Sequence, residues 1–278
     1  MPAEGELFNV HFYLRINGGF FMKQNLKKAI PTVITICLIL VLFQTLTSLG
    51  IIKDFVIPAP SAVIKALVTE HSILKDHIIT TTLISILGLA IAIPFGALTA
   101  ILLHQIPILY RAFYPLIIAS QTIPTIVITP IIVIMFGFGV WPRLLVVILV
   151  CFFPLTISFL QGLAEIDPDI LRLMKTMDAT TNQTLYHVLV PGALPSFFAG
   201  LKISATYSVT SAVLSEWSGS GLGLGIYLMR TKRSYAYDKM FASIVWIIGL
   251  SLIIYFAVIL LEYLIIPQKK YQTVNSSK

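Results

Sequence analysis

Apolar and polar positions alternate in long blocks along this chain. Most apolar blocks run to about 20 residues, the length at which a helix crosses the hydrocarbon layer of a membrane. Six spans are predicted in this way, at about 30–49, 78–103, 112–138, 144–163, 195–217 and 240–266. The second carries Pro94 and Gly96, which predict a kink. The third carries Gln121, Pro124 and Pro130. Prolines at that spacing remove amides from the helical ladder, so a bent or broken span is expected, with freed carbonyls against protein or a cavity. The fifth is rich in Ser204, Thr206, Ser208, Thr210 and Ser211, the composition of a helix packed closely on others.

The connections carry their own patterns. Pro58, Pro60 and Ser61 open a short helix with Val63, Ile64, Leu67 and Val68, expected on the membrane surface. The turn 137–143, GFGVWPR, places Trp141 at the interface. After span five, 219–225 reads GSGLGLG. It follows a membrane span and not a strand, and no Lys-Ser/Thr follows, so a phosphate-cradling loop is disfavoured against a hinge or re-entrant turn. Gly221, Gly223 and Gly225, with Pro124 and Pro130, are the candidate hinges. Residues 230–239 are expected as a basic loop.

One polar interruption differs from the rest, 164–195. Asp167 before Pro168 is an N-cap residue followed by proline at the first helical position. Ile170, Leu171, Met174 and Met177 then recur at helical spacing. A short amphipathic helix is predicted, joined to a span at each end and offering an apolar stripe to another protein.

Composition agrees with a polytopic membrane protein: 57% of residues are hydrophobic and 11% charged, with a mean hydropathy of +0.92. Soluble domains carry about 25% charged residues. The net charge of +7 suits anionic lipid and gives no reason to expect nucleic acid. Cys37 and Cys151 lie in apolar runs and are expected as small buried hydrophobes, and the five histidines are scattered, so no metal site is expected. Basic residues lean toward cytoplasmic termini without deciding the orientation. Residues 1–21 are expected as a flexible extension, 22–267 as the membrane domain and 268–278 as a polar tail.

Two readings are open for Glu216: a group on a transport path, or an interfacial carboxylate hydrated or paired with Arg230, Lys232 or Arg233. Gln121 bonds either a polar solute or a neighbouring helix. Ser208 and Trp217 complete the candidate pathway residues. Glu262 is expected in a snorkelling pair with Lys269 or Lys270. No nucleophile–base arrangement or paired intramembrane carboxylate is present, so no enzymatic activity is expected.

The second half of the polar interruption resembles the cytoplasmic loop of binding-protein-dependent ABC transporter permeases. Val188, Val190 and Pro191 fall on the closing residues of that loop's pattern, while Arg172 and Asp178 stand where the family has Glu and Gly. PAPS at 58–61, YPLIIASQTIP at 114–124, FGFG at 136–139, VLVPGALPSFFAGLKIS at 188–204 and SGLGLGIYLM at 220–229 extend the resemblance over most of the chain. The order is similar to permeases of the nitrate, sulfonate, taurine and thiamine-pyrimidine-precursor importers, and 223–244 looks most similar to the last group.

The resemblance implies an all-α polytopic protein of the plasma membrane, with six transmembrane helices in the type I ABC importer permease arrangement. It implies a homodimer around the path, no cofactor in this chain, and a separate ATPase holding ATP and Mg. That ATPase would dock on Asp167, Arg172, Met174, Asp178, Ala179, Leu185, Val188, Val190 and Pro191. An extracytoplasmic solute-binding protein would deliver a small polar solute to the outer loops, including 51–77 and 230–239. An ion-gradient carrier is the alternative, but no acid lies near the middle of a span and no internal repeat is evident. A non-transporting scaffold would leave the broken span and the glycine-rich turn without a purpose.

Overall fold

The computed structural model describes residues 30–53, 56–217 and 221–266; the expected extension 1–21 and tail 268–278 lie outside the described residues. The chain divides into two units, 1–65 and 66–278. In the first, α1 (Ile30–Ser48) is long and apolar enough to cross a membrane. Gln44 Oε1 accepts the Ser61 amide at 3.1 Å, at the start of α2 (Pro60–Thr69), which continues into the second unit.

In the second unit α3 (His71–Gln105) takes up 71–77 as well as the expected span. α4 (Pro107–Gln121) and α5 (Thr125–Phe136) form the broken span, bent by 103°. Pro124 is the N-cap of α5, in extended conformation, so the proline marks the break, while Pro130 lies inside α5. α6 (Val140–Ala164) follows, then α7 (Pro168–Thr176), a single turn α8 (Thr181–Thr184), a π turn at Leu185–Leu189, α9 (Val190–Trp217), α10 (Leu224–Arg233) and α11 (Tyr237–Ile265). Counting the bent pair as one span, up to six helical segments are long and apolar enough to cross a membrane.

Two expected boundaries are corrected. The fifth span begins well before Pro195, because helix runs through the π turn from Thr181. Pro191 has no amide, and its ring crowds the carbonyl four residues back. Widening the preceding turn to an i→i−5 bond, Val190 N–H to Leu185, lets the chain stay helical there. Residues 230–239 are not a loop either: α10 reaches Arg233, and only 234–236 turn before α11.

α3, α6, α9 and α11 pack around Ile84, Leu89, Val147, Leu155, Ala205, Val209 and Ile254. The small residues of α9 allow this approach: a Cβ on Gly200 would meet the Pro154 carbonyl and Ser158. Cys151 and Ser204 exchange side-chain bonds with each other's carbonyls at 3.3 and 2.7 Å, so Cys151 is buried but not merely apolar. Cys37 is exposed. Near the other end of α6, a second core of Leu103, Phe159, Leu163, Leu185, Leu189 and Ala193 holds the junction with α7. Glu262 pairs with Lys202 of α9 at 2.9 Å, while Lys269 and Lys270, the partners expected for it, lie outside the described residues.

Candidate functional site

α7 hangs between the end of α6 and the start of α8–α9, and its local chemistry fixes both ends. The Asp167 carboxylate accepts the Asp169 amide at 2.8 Å, with Pro168 at the first helical position. At the far end Ala179 N–H donates to the Met174 carbonyl at 3.0 Å, and Asp178 N–H to that of Lys175 at 3.2 Å. These two bonds are a Schellman closure, which needs a left-handed residue between them. Asp178 takes that position with φ +53°, which explains why glycine suits the same place in the permease loop pattern. Thr180 and Gln183 then form a reciprocal capping box at the start of α8.

The outward stripe of α7 is Ile170, Leu173 and Met177, all exposed, with Tyr186 exposed beyond them. Leu171 packs on the second core and Met174 is half-buried. The stripe is therefore turned by about one residue from the expected one. Asp167, Arg172 and Asp178 are exposed, whereas Ala179, Val188, Val190 and Pro191 are half-buried. Leu185 is 5% exposed and belongs to the core, so it is withdrawn as a docking residue. The exposed Arg172–Asp169 pair, at 2.7 Å, adds little stability in water. Between α7 and the α8–π turn a cavity of about 400 Å³ is lined by Leu171, Lys175, Ala179, Thr181, Thr184 and Leu189.

A polar cluster closes the opposite end of the bundle, where α3 and α6 begin and α9 ends. Glu216 is fully buried there, not hydrated at the interface. Its carboxylate accepts Thr81 Oγ1 at 2.8 Å and the Gly225 amide at 2.7 Å. Thr81 Oγ1 in turn accepts the Leu224 amide at 2.8 Å. His77 Nδ1 sits 2.9 Å from the Gly223 nitrogen and 2.8 Å from its carbonyl oxygen, accepting or donating according to tautomer. Arg143 Nη1 donates to the Leu222 carbonyl at 3.0 Å. Three helices thus grip the backbone of 222–225.

The expected hinge glycines occupy this grip. Gly223 has φ +144°, and a Cβ on it would strike the Glu216 carboxylate; one on Gly225 would strike the Val213 carbonyl. Glycine serves close approach at these two positions, while Gly221, at φ +105°, has open space around it. Beyond the turn Tyr227 donates to Glu70 Oε2 at 3.2 Å, and Lys239 Nζ reaches Glu70 Oε1 at 2.6 Å. Burial, with the adjacent carboxylate, pushes the Tyr227 phenol up from its ordinary value.

The remaining pathway candidates separate. Ser208 is buried and its hydroxyl donates to the Ala205 carbonyl at 2.8 Å, so it serves helix packing. Gln121 is exposed at the end of α4. Trp217 is exposed and shares a face of α9 with Ala199, Ile203, Tyr207 and Thr210, all exposed. Tyr207 and Thr210 lie at helical spacing from Trp217 and were not among the expected pathway residues. Among the described residues no cluster of metal-ligating side chains occurs.

The fold is a helical membrane bundle with an exposed amphipathic helix slung between two spans. Residues 92–269 match the family of binding-protein-dependent transport system inner membrane components, and the chain belongs to that family. It is 32% identical to the formylaminopyrimidine transport permease protein ThiX of Halalkalibacterium halodurans, covering 90% of this chain and 100% of that one. It is 26% identical to the taurine transport system permease protein TauC of Escherichia coli, over 76% of this chain and 79% of the relative. Among solved structures, an inward-facing form of the MetNI methionine ABC transporter superposes with a TM-score of 0.63 at 20% identity, covering 70% of this chain and 96% of that one. The chain is thus a multi-pass plasma-membrane permease subunit of an ABC importer, with the type I fold.

Proposed function

We propose that two copies of this permease enclose a path for a small heteroaromatic solute of the formylaminopyrimidine kind, driven by a separate ATPase seated on α7. The observation that carries the coupling is the exposed Ile170–Leu173–Met177 stripe on a helix fastened at both ends to spans. Motion imposed on such a helix must move α6 and α9 as rigid bodies. The cavity beside α7 supplies a recess for a side chain of the partner. α7 then lies in the cytoplasm with both termini, and ATP and Mg belong to the partner. The similarity to ThiX supports the solute class.

The open face of α9 favours the dimer. Ile203, Tyr207, Thr210 and Trp217 are left uncovered by the chain's own helices, and a twofold copy would enclose them. Tyr207 and Trp217 offer aromatic faces for stacking, and Thr210 a hydroxyl. Proteoliposomes test the reading: labelled formylaminopyrimidine should enter only when permease, ATPase, ATP and solute-binding protein are all present. Uptake without the ATPase overturns the coupling, and competition by taurine or nitrate but not by the pyrimidine overturns the solute class.

A further inference from the structure

A second cavity, of about 400 Å³, opens at the α7 end of the bundle, between the end of α3, the first turns of α4 and the last turns of α6. The connection that builds it is short. Ile106, in extended conformation, is the whole link between α3 and α4, and Pro107 opens α4 where a missing amide costs nothing. Pro107, Tyr110, Arg111 and Tyr114 then stand at i, i+3, i+4 and i+7, one face of α4, and share the cavity with His104 of α3 and Gln161 of α6. Leu103, Leu160 and Ala164 complete the lining.

The chemistry of that lining is one-sided. Arg111 offers guanidinium donors, Gln161 an amide, Tyr110 and Tyr114 hydroxyls and His104 a ring N–H, and no carboxylate lines the cavity. Among the described residues no acid stands within ion-pair distance of Arg111, and none of these five side chains is hydrogen-bonded within the chain. At the Glu216 end, by contrast, the polar side chains are bonded to one another and to the 222–225 backbone. The rings of Tyr110 and Tyr114 stack at 4.7 Å, 16° from parallel, and give Arg111 a stiff aromatic wall. Donors gathered around a guanidinium that has no internal acceptor fit an oxyanion of the phosphate type.

The level of the cavity indicates what carries the phosphate. Leu102 and Ile106 on one side, and Ile108, Phe113 and Leu116 on the other, are large apolar side chains left exposed. The cavity therefore opens at the edge of an apolar belt, beside the end of a span. Tyrosine and arginine at that edge meet lipid headgroups, and basic recesses between spans hold anionic ones.

We propose that this cavity holds the phosphate of an anionic phospholipid from the leaflet on the α7 side. Arg111 is its bidentate partner, Gln161 and His104 are further donors, and the acyl chains lie along the exposed apolar side chains of α4. A lipid seated there joins α4, and with it the broken span, to the end of α6 from which α7 hangs. The site rests on the importer reading above only in placing that leaflet in the cytoplasm.

The test uses the delipidated full-length permease in neutral detergent, read by native mass spectrometry and thermal melting. It is titrated with phosphatidylglycerol, with phosphatidylcholine of the same acyl chains, and with free glycerol 3-phosphate. Phosphatidylglycerol should raise the melting temperature and bind roughly tenfold more tightly than phosphatidylcholine, whose ammonium finds no acid in the lining. Arg111→Gln should weaken phosphatidylglycerol about tenfold, and Arg111→Lys, which keeps the charge but loses the fork, by less. Gln161→Leu should also weaken it. Without lipid, Arg111→Gln and Gln161→Leu should melt as the wild type does, because neither side chain is bonded within the chain. Lys232→Gln, at the other end of the bundle, should keep the affinity and so separate the cavity from net charge. Equal binding of the two lipids, or unchanged affinity in Arg111→Gln, overturns the proposal. Glycerol 3-phosphate binding as tightly as phosphatidylglycerol makes a soluble phosphate compound the occupant and overturns the lipid assignment. Adding the ATPase to inside-out vesicles keeps the two readings apart: failure to bind there overturns the cytoplasmic placement of α7 and leaves the lipid comparison standing.

Discussion

At the residue scale, single backbone or carboxylate positions govern whole turns. Asp178 stands at φ +53° in the closure of α7. Asp178→Gly should be tolerated or stabilising by about 1 kcal/mol, because glycine enters the left-handed region without steric cost. A β-branched Asp178→Val should destabilise and lower ATPase co-purification, both read from thermal melts and pull-downs. Glu216 is the opposite kind of residue. Glu216→Ala removes the acceptor for Thr81 and Gly225 and leaves two buried donors unsatisfied, at about 1–3 kcal/mol each. Its melting temperature in detergent should therefore fall well below that of a surface change such as Lys232→Ala. Equal melting of the two variants would deny the carboxylate any structural role.

At the element scale, the orientation of α7 decides which substitutions separate docking from folding. Leu173→Asp places a charge on the exposed stripe, so it should abolish ATPase binding while expression and melting stay near wild type. Leu185→Asp buries a charge in the second core, so it should destabilise the permease itself. Comparing yield and ATPase co-purification for the two variants checks both expectations. The amphipathic pattern was legible in the sequence because Asp167-Pro168 and the apolar spacing are local signals. Which of two adjacent apolar rows faced outward was not, because Leu171 is drawn inward by a core that several other helices assemble. The π turn was equally hidden: Pro191 announces a disturbed helix, but the widened turn that absorbs it depends on the packing of Leu185 and Leu189.

At the scale of the whole molecule, the open face of α9 is the proposed wall of the path. Tyr207→Ala should reduce solute uptake in proteoliposomes about tenfold while ATPase binding and melting are retained, because its side chain is exposed on α9 and supports no core. Unaltered uptake would remove that face from the path. Span number, span composition, the broken third span and the amphipathic helix were written in the chain, since hydropathy, proline and capping residues act within a few positions of themselves. The fate of Glu216 was decided only by tertiary structure. Its partners Thr81, Gly225 and the surrounding His77 and Arg143 come from three separate stretches, and no local pattern states that a carboxylate beside a glycine-rich turn will be buried and bonded. Desolvating a carboxylate is costly unless donors converge on it, and only the packed helices can bring those donors together.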